Sequence, residues 1–108
     1  MEYALHYDTK PARSEEFRAW LIDNDDALRE RGPDGWDYLG TYFTVRAFGA
    51  FGCQTRWAID GYAALGSGFG DEAGVRLTQQ FMEFVDQTRP WQATLHKSAT
   101  EVDILPGT

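Results

Sequence analysis

The sequence predicts an α+β domain in which a four-stranded antiparallel sheet carries two helices on one face. Three observations lead there. Strand-like and helix-like stretches follow in the order strand, helix, strand, strand, helix, strand. Each helical stretch carries a single apolar stripe. The two middle strands are separated by a short Gly-rich break and so read as a hairpin. With 108 residues the chain can bury one core and is too short for two, so residues 1–108 are read as one domain.

The first strand is EYALHYDT, ended by Lys10-Pro11, where proline removes a ladder donor. Ser14 is the expected N-cap of the first helix, with Glu15 and Glu16 in the first turn, where the helix dipole favours acids. Phe17, Trp20, Leu21, Asn24 and Leu28 then recur at helical spacing until Gly32-Pro33 stops the helix. The hairpin runs from about Trp36 to Ile59, with Gly49-Ala50-Phe51-Gly52 as its turn. One helical turn is expected around Tyr62 to Leu65, before a run of glycines. Asp71 is the N-cap candidate of the second helix, whose stripe is Val75, Leu77, Thr78, Phe81, Phe84 and Val85, and Arg89-Pro90 ends it. WQATLHKSATEVDIL is the final strand, with a break near Ser98-Ala99. Trp20 and Phe81 are expected in the core.

Alternation places Leu39, Thr41, Phe43 and Val45 on one face of the first hairpin strand and Tyr38, Tyr42, Thr44 and Arg46 on the other. The register of its partner depends on the loop. A loop of even length sets Arg46 beside Thr55 and brings Trp57 onto the Arg46 face; an odd loop or a bulge groups Trp57 and Ile59 with Leu39 and Phe43. The second arrangement collects the apolar residues and is the expected one. The opposite face then carries Ala4, His6, Tyr38, Tyr42, Thr44, Arg46, Gln54, Arg56, Gln92, Thr94 and His96.

This element order, this length and the segment TRWAIDGYAAL, in which an aromatic-ended strand runs into an Asp and a Tyr-Ala-Ala-Leu turn, carry a family likeness. On them the chain resembles the dimeric α/β-barrel superfamily, a ferredoxin-like βαββαβ fold, and in particular its NIPSNAP-like and antibiotic-monooxygenase-like members. The resemblance implies a homodimer that pairs two sheets through their open faces, with a small-molecule cavity in each protomer. No catalytic signature of a named family is complete, so activity does not follow from the fold.

A net charge of -7 argues against nucleic acid as a partner, since phosphates must be met by a clustered basic surface. No apolar run approaches membrane-spanning length, and the opening MEYALHYDTK lacks the basic and then apolar pattern of a secretory signal. With Cys53 as the one cysteine, a reducing cytoplasmic setting is expected. Cys53 itself reads as a structural thiol. The segment GSGFGDE lacks the Lys-Ser/Thr ending of a phosphate loop and reads as a lid or connector.

His6 and His96 fall on the first and last strands, neighbours in this fold, and form the candidate catalytic pair: a general base, or with Asp8 a metal site. The alternative is a pair of half-buried strand residues bonded to backbone or to a dimer mate. No metal-ligand spacing is present, so neither a metal nor a cofactor is assigned. Arg46 and Arg56, on one face of an acidic protein, are candidates to grip a small anionic ligand through their fork geometry. Ion pairing across the dimer with Asp8, Asp37 or Asp60 is the other reading. Tyr42 joins them by its phenol, and Asn24, the odd polar member of its stripe, is a candidate to point into a ligand cavity. The expected function is small-molecule binding, with cofactorless monooxygenation or isomerisation of an aromatic or carbonyl compound as the chemistry. A non-catalytic dimeric binding or assembly module is one alternative. A heme-binding member of the superfamily using His6 or His96 is another.

Overall fold

In a computed structural model of the chain, residues 1–46, 49–66, 68 and 71–100 are described. The elements are β1 (Glu2–Tyr7), α1 (Ser14–Asp23), α2 (Asp25–Glu30), β2 (Trp36–Phe43), β3 (Cys53–Ile59), a 3-10 turn (Tyr62–Gly66), α3 (Glu72–Phe84) and β4 (Gln92–His96). The four strands form one sheet in the order β2-β3-β1-β4, and every neighbouring pair is antiparallel. This is the expected ferredoxin-like arrangement. The part of the predicted final strand beyond Thr100, and Ser67, Phe69 and Gly70 of the glycine run, lie outside the described residues.

The core forms where the helix stripes meet one face of the sheet. Phe17, Leu21, Leu28, Phe81 and Phe84 from the helices pack with Tyr7, Tyr38 and Cys53 from the strands, and Val85 closes the cluster. Phe17 is wholly buried and its ring meets those of Tyr7, Trp20, Phe43, Phe81 and Phe84. Phe81 is buried as expected. Trp20 is only partly so: it packs on the cluster's rim and donates its indole N–H to Gln80 Oε1 at 3.1 Å.

Local chemistry moved several predicted boundaries. The single first helix is two. The side-chain amide of Asn24 donates to the Trp20 carbonyl at 2.8 Å and its backbone N–H reaches the same oxygen at 3.0 Å, which ends α1 and lets α2 start afresh. Asn24 therefore makes a helix junction, its half-buried amide having found an acceptor on its own helix. Ser14 opens α1 without capping it; its hydroxyl bonds that of Thr9 at 2.8 Å. Asp71 does cap α3, accepting from the Gly74 N–H at 2.8 Å. That helix stops at Phe84, before Arg89-Pro90, because the chain there pairs with the end of β1: Thr9 bridges Val85, and Asp86 N–H donates to the Asp8 carbonyl at 2.8 Å.

The hairpin register holds the largest difference. Tyr38 faces Trp57 and Gly40 faces Arg56, so Leu39 is an extra residue in β2. The bulge reverses the alternation N-terminal to it. Trp57, Ile59 and Phe43 share the helix-side face, as expected, but Tyr38 joins them and is buried to 5% exposure. Gly40 at φ 152° supplies the backbone conformation this kink needs, one that L side chains rarely adopt. The expected place of Val45 on the core face also fails. β2 has ended by then, and Val45 is 98% exposed.

Arg89 fastens the far end of the hairpin. Its guanidinium sits 3.9 Å over the Phe51 ring, donates to the Gly49 carbonyl at 2.9 Å and pairs with Asp8 at 3.1 Å, while Asp8 also accepts from the Gly52 N–H at 2.7 Å. Both of the carboxylate's oxygens are thus engaged at the turn.

Candidate functional site

The sheet separates two regions with different chemistry. On the helix side, a cavity of about 300 Å³ lies between the sheet and helices α2 and α3. Its walls are mainly ring and aliphatic groups: Tyr3, Trp36, Tyr38 and Trp57 from the strands and Leu77 and Met82 from α3. The rings brace one another edge to face, Trp36 against Tyr3 at 5.0 Å and against Trp57 at 5.8 Å, and Tyr38 against Trp57 at 5.2 Å. Trp36 is also held by its indole N–H, which donates to the Ala64 carbonyl at 2.6 Å. A volume of this size, with apolar walls and few polar groups, suits a small organic molecule.

The polar groups of the lining come from two places. Arg31 is the charged side chain among the described lining residues, and it pairs with the α3 cap, Asp71, at 3.0 Å. In the floor, Thr55 belongs to a buried hydroxyl chain. Tyr7 Oη lies 2.8 Å from Thr55 Oγ1, which lies 2.9 Å from Thr41 Oγ1, which lies 2.7 Å from Tyr38 Oη. Burial pushes the phenols of Tyr3, Tyr7 and Tyr38 above their ordinary value, so all stay protonated at neutral pH. The Cys53 thiol, opposite Tyr7 on the neighbouring strand and near the Asp8 carboxylate, is pushed up to about 11, first by burial and then by that charge. A thiol held protonated is a poor nucleophile, in keeping with a structural role.

On the opposite face the structure joins three of the predicted site residues, Arg56, His6 and His96, in one hydrogen-bonded line across β3, β1 and β4, and a fourth, Tyr42 of β2, adjoins it through its ring. Arg56 lies over the Tyr42 ring at 5.3 Å and donates from Nε to Gln54 Oε1 at 2.7 Å. The Gln54 amide nitrogen is 3.4 Å from His6 Nδ1, and His6 Nε2 is 3.0 Å from Thr94 Oγ1. That hydroxyl is 2.9 Å from His96 Nε2. One proton arrangement serves every link: the Gln54 amide donates to His6 Nδ1, His6 Nε2–H donates to Thr94, and the Thr94 hydroxyl donates to His96. The two imidazoles are thus coupled through one threonine, and both lie across the sheet from the cavity.

Arg46 does not join this line. It lies beyond the end of β2, exposed at the hairpin's far end, whereas Arg56 faces Gly40 in mid-sheet. Nor does Asp8 approach the imidazoles, since Arg89 and Gly52 hold it. Among the described residues, no group of three or more His, Cys, Asp or Glu is placed to share a metal ion, and no helix is long and apolar enough to cross a membrane.

Sequence reasoning missed the Tyr38–Thr41–Thr55–Tyr7 chain because it placed Tyr38 on the other face. The available signal was Gly40: a lone glycine inside a strand pattern marks a bulge, and a bulge there turns Tyr38 inward.

No family model matches the chain, and no curated protein does. Solved structures do. An uncharacterized NIPSNAP domain protein from Burkholderia xenovorans superposes with a TM-score of 0.62 at 14% identity, covering 95% of this chain and all (100%) of its own. Protein Atu4242 from Agrobacterium tumefaciens gives 0.59 at 12% identity over 92% of this chain and 94% of its own. Rv0793 from Mycobacterium tuberculosis gives 0.56 at 19%, over 91% and 97%. The fold is thus ferredoxin-like and similar to NIPSNAP-domain structures over nearly the whole chain. At these identities the likeness is one of fold.

Proposed function

We propose that the protein binds a small, flat, largely aromatic molecule in the cavity between sheet and helices. The observation that carries this is the ring-walled space of about 300 Å³, with Trp36, Tyr38 and Trp57 fixed against one another so that they frame it. Catalysis by monooxygenation or isomerisation asks for more. The described lining offers phenols, threonine hydroxyls and the paired Arg31, while both imidazoles lie on the far side of the sheet. That geometry supports binding over proton abstraction, and over a heme held by His6 or His96 in this cavity. The expected result is saturable quenching of tryptophan fluorescence by 2-naphthol, abolished in Leu77→Trp, which fills the space from the helix side. Unchanged quenching in a folded Leu77→Trp protein would exclude the cavity.

The second part of the reading is a homodimer through the open sheet face. What favours it is the line from Tyr42 to His96, a mixed aromatic and polar surface on the face away from the core helices, with Tyr42 49% exposed. Light scattering is expected to give twice the chain mass, falling toward one chain mass in Arg56→Glu. A monomer mass persisting at high micromolar concentration and in high salt would overturn it. Dimer loss in Arg56→Glu with 2-naphthol binding intact would place Arg56 in assembly, and intact dimers would take it out of the interface.

A further inference from the structure

The polar side chains of the cavity divide into those already bonded and those still free to bond. Trp36 gives its N–H to the Ala64 carbonyl, Tyr38 and Thr55 bond to Thr41, and Thr78 donates its hydroxyl to the Gly74 carbonyl at 3.1 Å. Arg31, Tyr3 and Trp57 remain. The Arg31 guanidinium uses one N–H group on Asp71, whose other carboxylate oxygen accepts from the Gly74 N–H. Its further N–H groups, the Tyr3 hydroxyl and the Trp57 indole N–H have no hydrogen-bond partner among the described residues. The Arg31 side chain is half-exposed, and the other two atoms are accessible, since no buried polar side-chain atom among those residues lacks a partner.

All three are donors. Guanidinium and indole N–H groups cannot accept, and the Tyr3 phenol, which burial keeps protonated at neutral pH, has a proton to give. The lining also carries charge of one sign, because no carboxylate stands beside Arg31 among the described lining residues. Asp71 holds the guanidinium from outside the lining, so less side-chain freedom is lost when a ligand arrives. That ion pair ties the end of α2 to the cap of α3, which accounts for one N–H group and leaves the rest of the fork open. A guanidinium fork matches the two oxygens of a carboxylate.

Building on the cavity reading above, we infer that the molecule bound there is an aryl carboxylate, its rings among Trp36, Tyr38 and Trp57 and its carboxylate on the Arg31 guanidinium. The ligand class narrows from flat aromatic molecules in general to aromatic acids. Arg31 sets the specificity: a neutral ring system of the same shape fills the walls but leaves the fork to water. The chain's net charge of -7 repels anions at long range, so a preference for the acid has to come from this local contact. The Asp71 bond need not break, because the ligand takes N–H groups that Asp71 does not use.

A matched pair of probes tests this. The compounds 2-naphthoate and 2-naphthamide share rings and shape and differ in charge. Calorimetric titration of wild-type protein at neutral pH is expected to show 2-naphthoate bound on the order of tenfold more tightly, the scale of a charge-assisted hydrogen bond at a half-exposed site. Arg31→Gln lowers that ratio to about onefold while 2-naphthamide affinity stays, and Arg31→Lys, which keeps the charge without the fork, gives an intermediate ratio. Equal binding of both probes by wild type would overturn the carboxylate inference and leave the cavity reading standing. A ratio that survives in Arg31→Gln, or 2-naphthoate binding that persists in Leu77→Trp, would overturn it too. Binding of neither probe would overturn both readings. Should Arg31→Gln fail to fold, the wild-type ratio and its fall in Arg31→Lys still decide.

Discussion

Phe17→Ala is expected to cost about 3–5 kcal/mol, as deletion of a fully buried aromatic ring does. Phe17 has no exposed surface and joins α1 to both the sheet and α3, touching Tyr7 and Phe43 on one side and Phe81 and Phe84 on the other. The loss comprises the ring's transfer to water and the cavity left among rigid neighbours that cannot collapse into it. Against a total of about 5–15 kcal/mol for a domain of ordinary stability, the variant is near its unfolding limit. Ile22→Ala, on the outer face of the same helix at 61% exposure, is the control and is expected to cost under about 0.5 kcal/mol. Urea melts of both read the contrast. A Phe17→Ala loss no greater than that of Ile22→Ala would mean that the helix stripe does not pack as described.

Alkaline pH is expected to unfold the protein from within. Burial raises the Tyr7 phenol above its ordinary value of 10.0, and burial with the Asp8 charge lifts Cys53 from 9.0 to about 11. For an acid raised in the folded state, the unfolded chain loses its proton first. Stability is therefore fully present below the unfolded value and falls as pH rises above it, from about 9 for the thiol and about 10 for the phenol. Tyr7 alone contributes a slope of about 1.4 kcal/mol per pH unit above 10 until its folded value is reached. Urea melts at intervals from pH 8 to 11 are expected to show this decline. Tyr7→Phe, slightly less stable at neutral pH through the lost bond to Thr55, should be shallower above pH 10, and Cys53→Ala shallower between about 9 and about 11. A Tyr7→Phe slope equal to that of wild type would show that the phenol ionises in the folded protein.

The fold was legible because its signals are local and periodic. The stripe from Phe17 to Leu28 and the alternation in EYALHY each declare a buried face from a few residues, and Asp71 before Glu72 marks a helix start by its own side-chain bond. Strand order followed from the sequence of elements, since short connections leave few topologies open. The line from Tyr42 to His96 was partly legible for the same reason: period-two alternation put His6, Gln54, Arg56, Thr94 and His96 on one face, and antiparallel neighbours brought them together.

What only the tertiary structure decided depends on single-residue events with long-range consequences. One extra residue at Leu39 turned Tyr38 from the open face into the core and completed a hydroxyl chain whose members are up to 48 positions apart in sequence. Asn24 was read as a ligand residue, but it found an acceptor four positions back and became a helix junction. Arg46 and Arg56 looked alike in sequence; the end of β2 put one at the hairpin tip and left the other in mid-sheet. The cavity itself has no local signature, because its walls come from β1, β2, β3, α2 and α3 and it is the space that their packing leaves unfilled. Pattern and propensity determine which faces are buried, whereas registers, side-chain partners and voids are settled by which contacts the folded chain satisfies together.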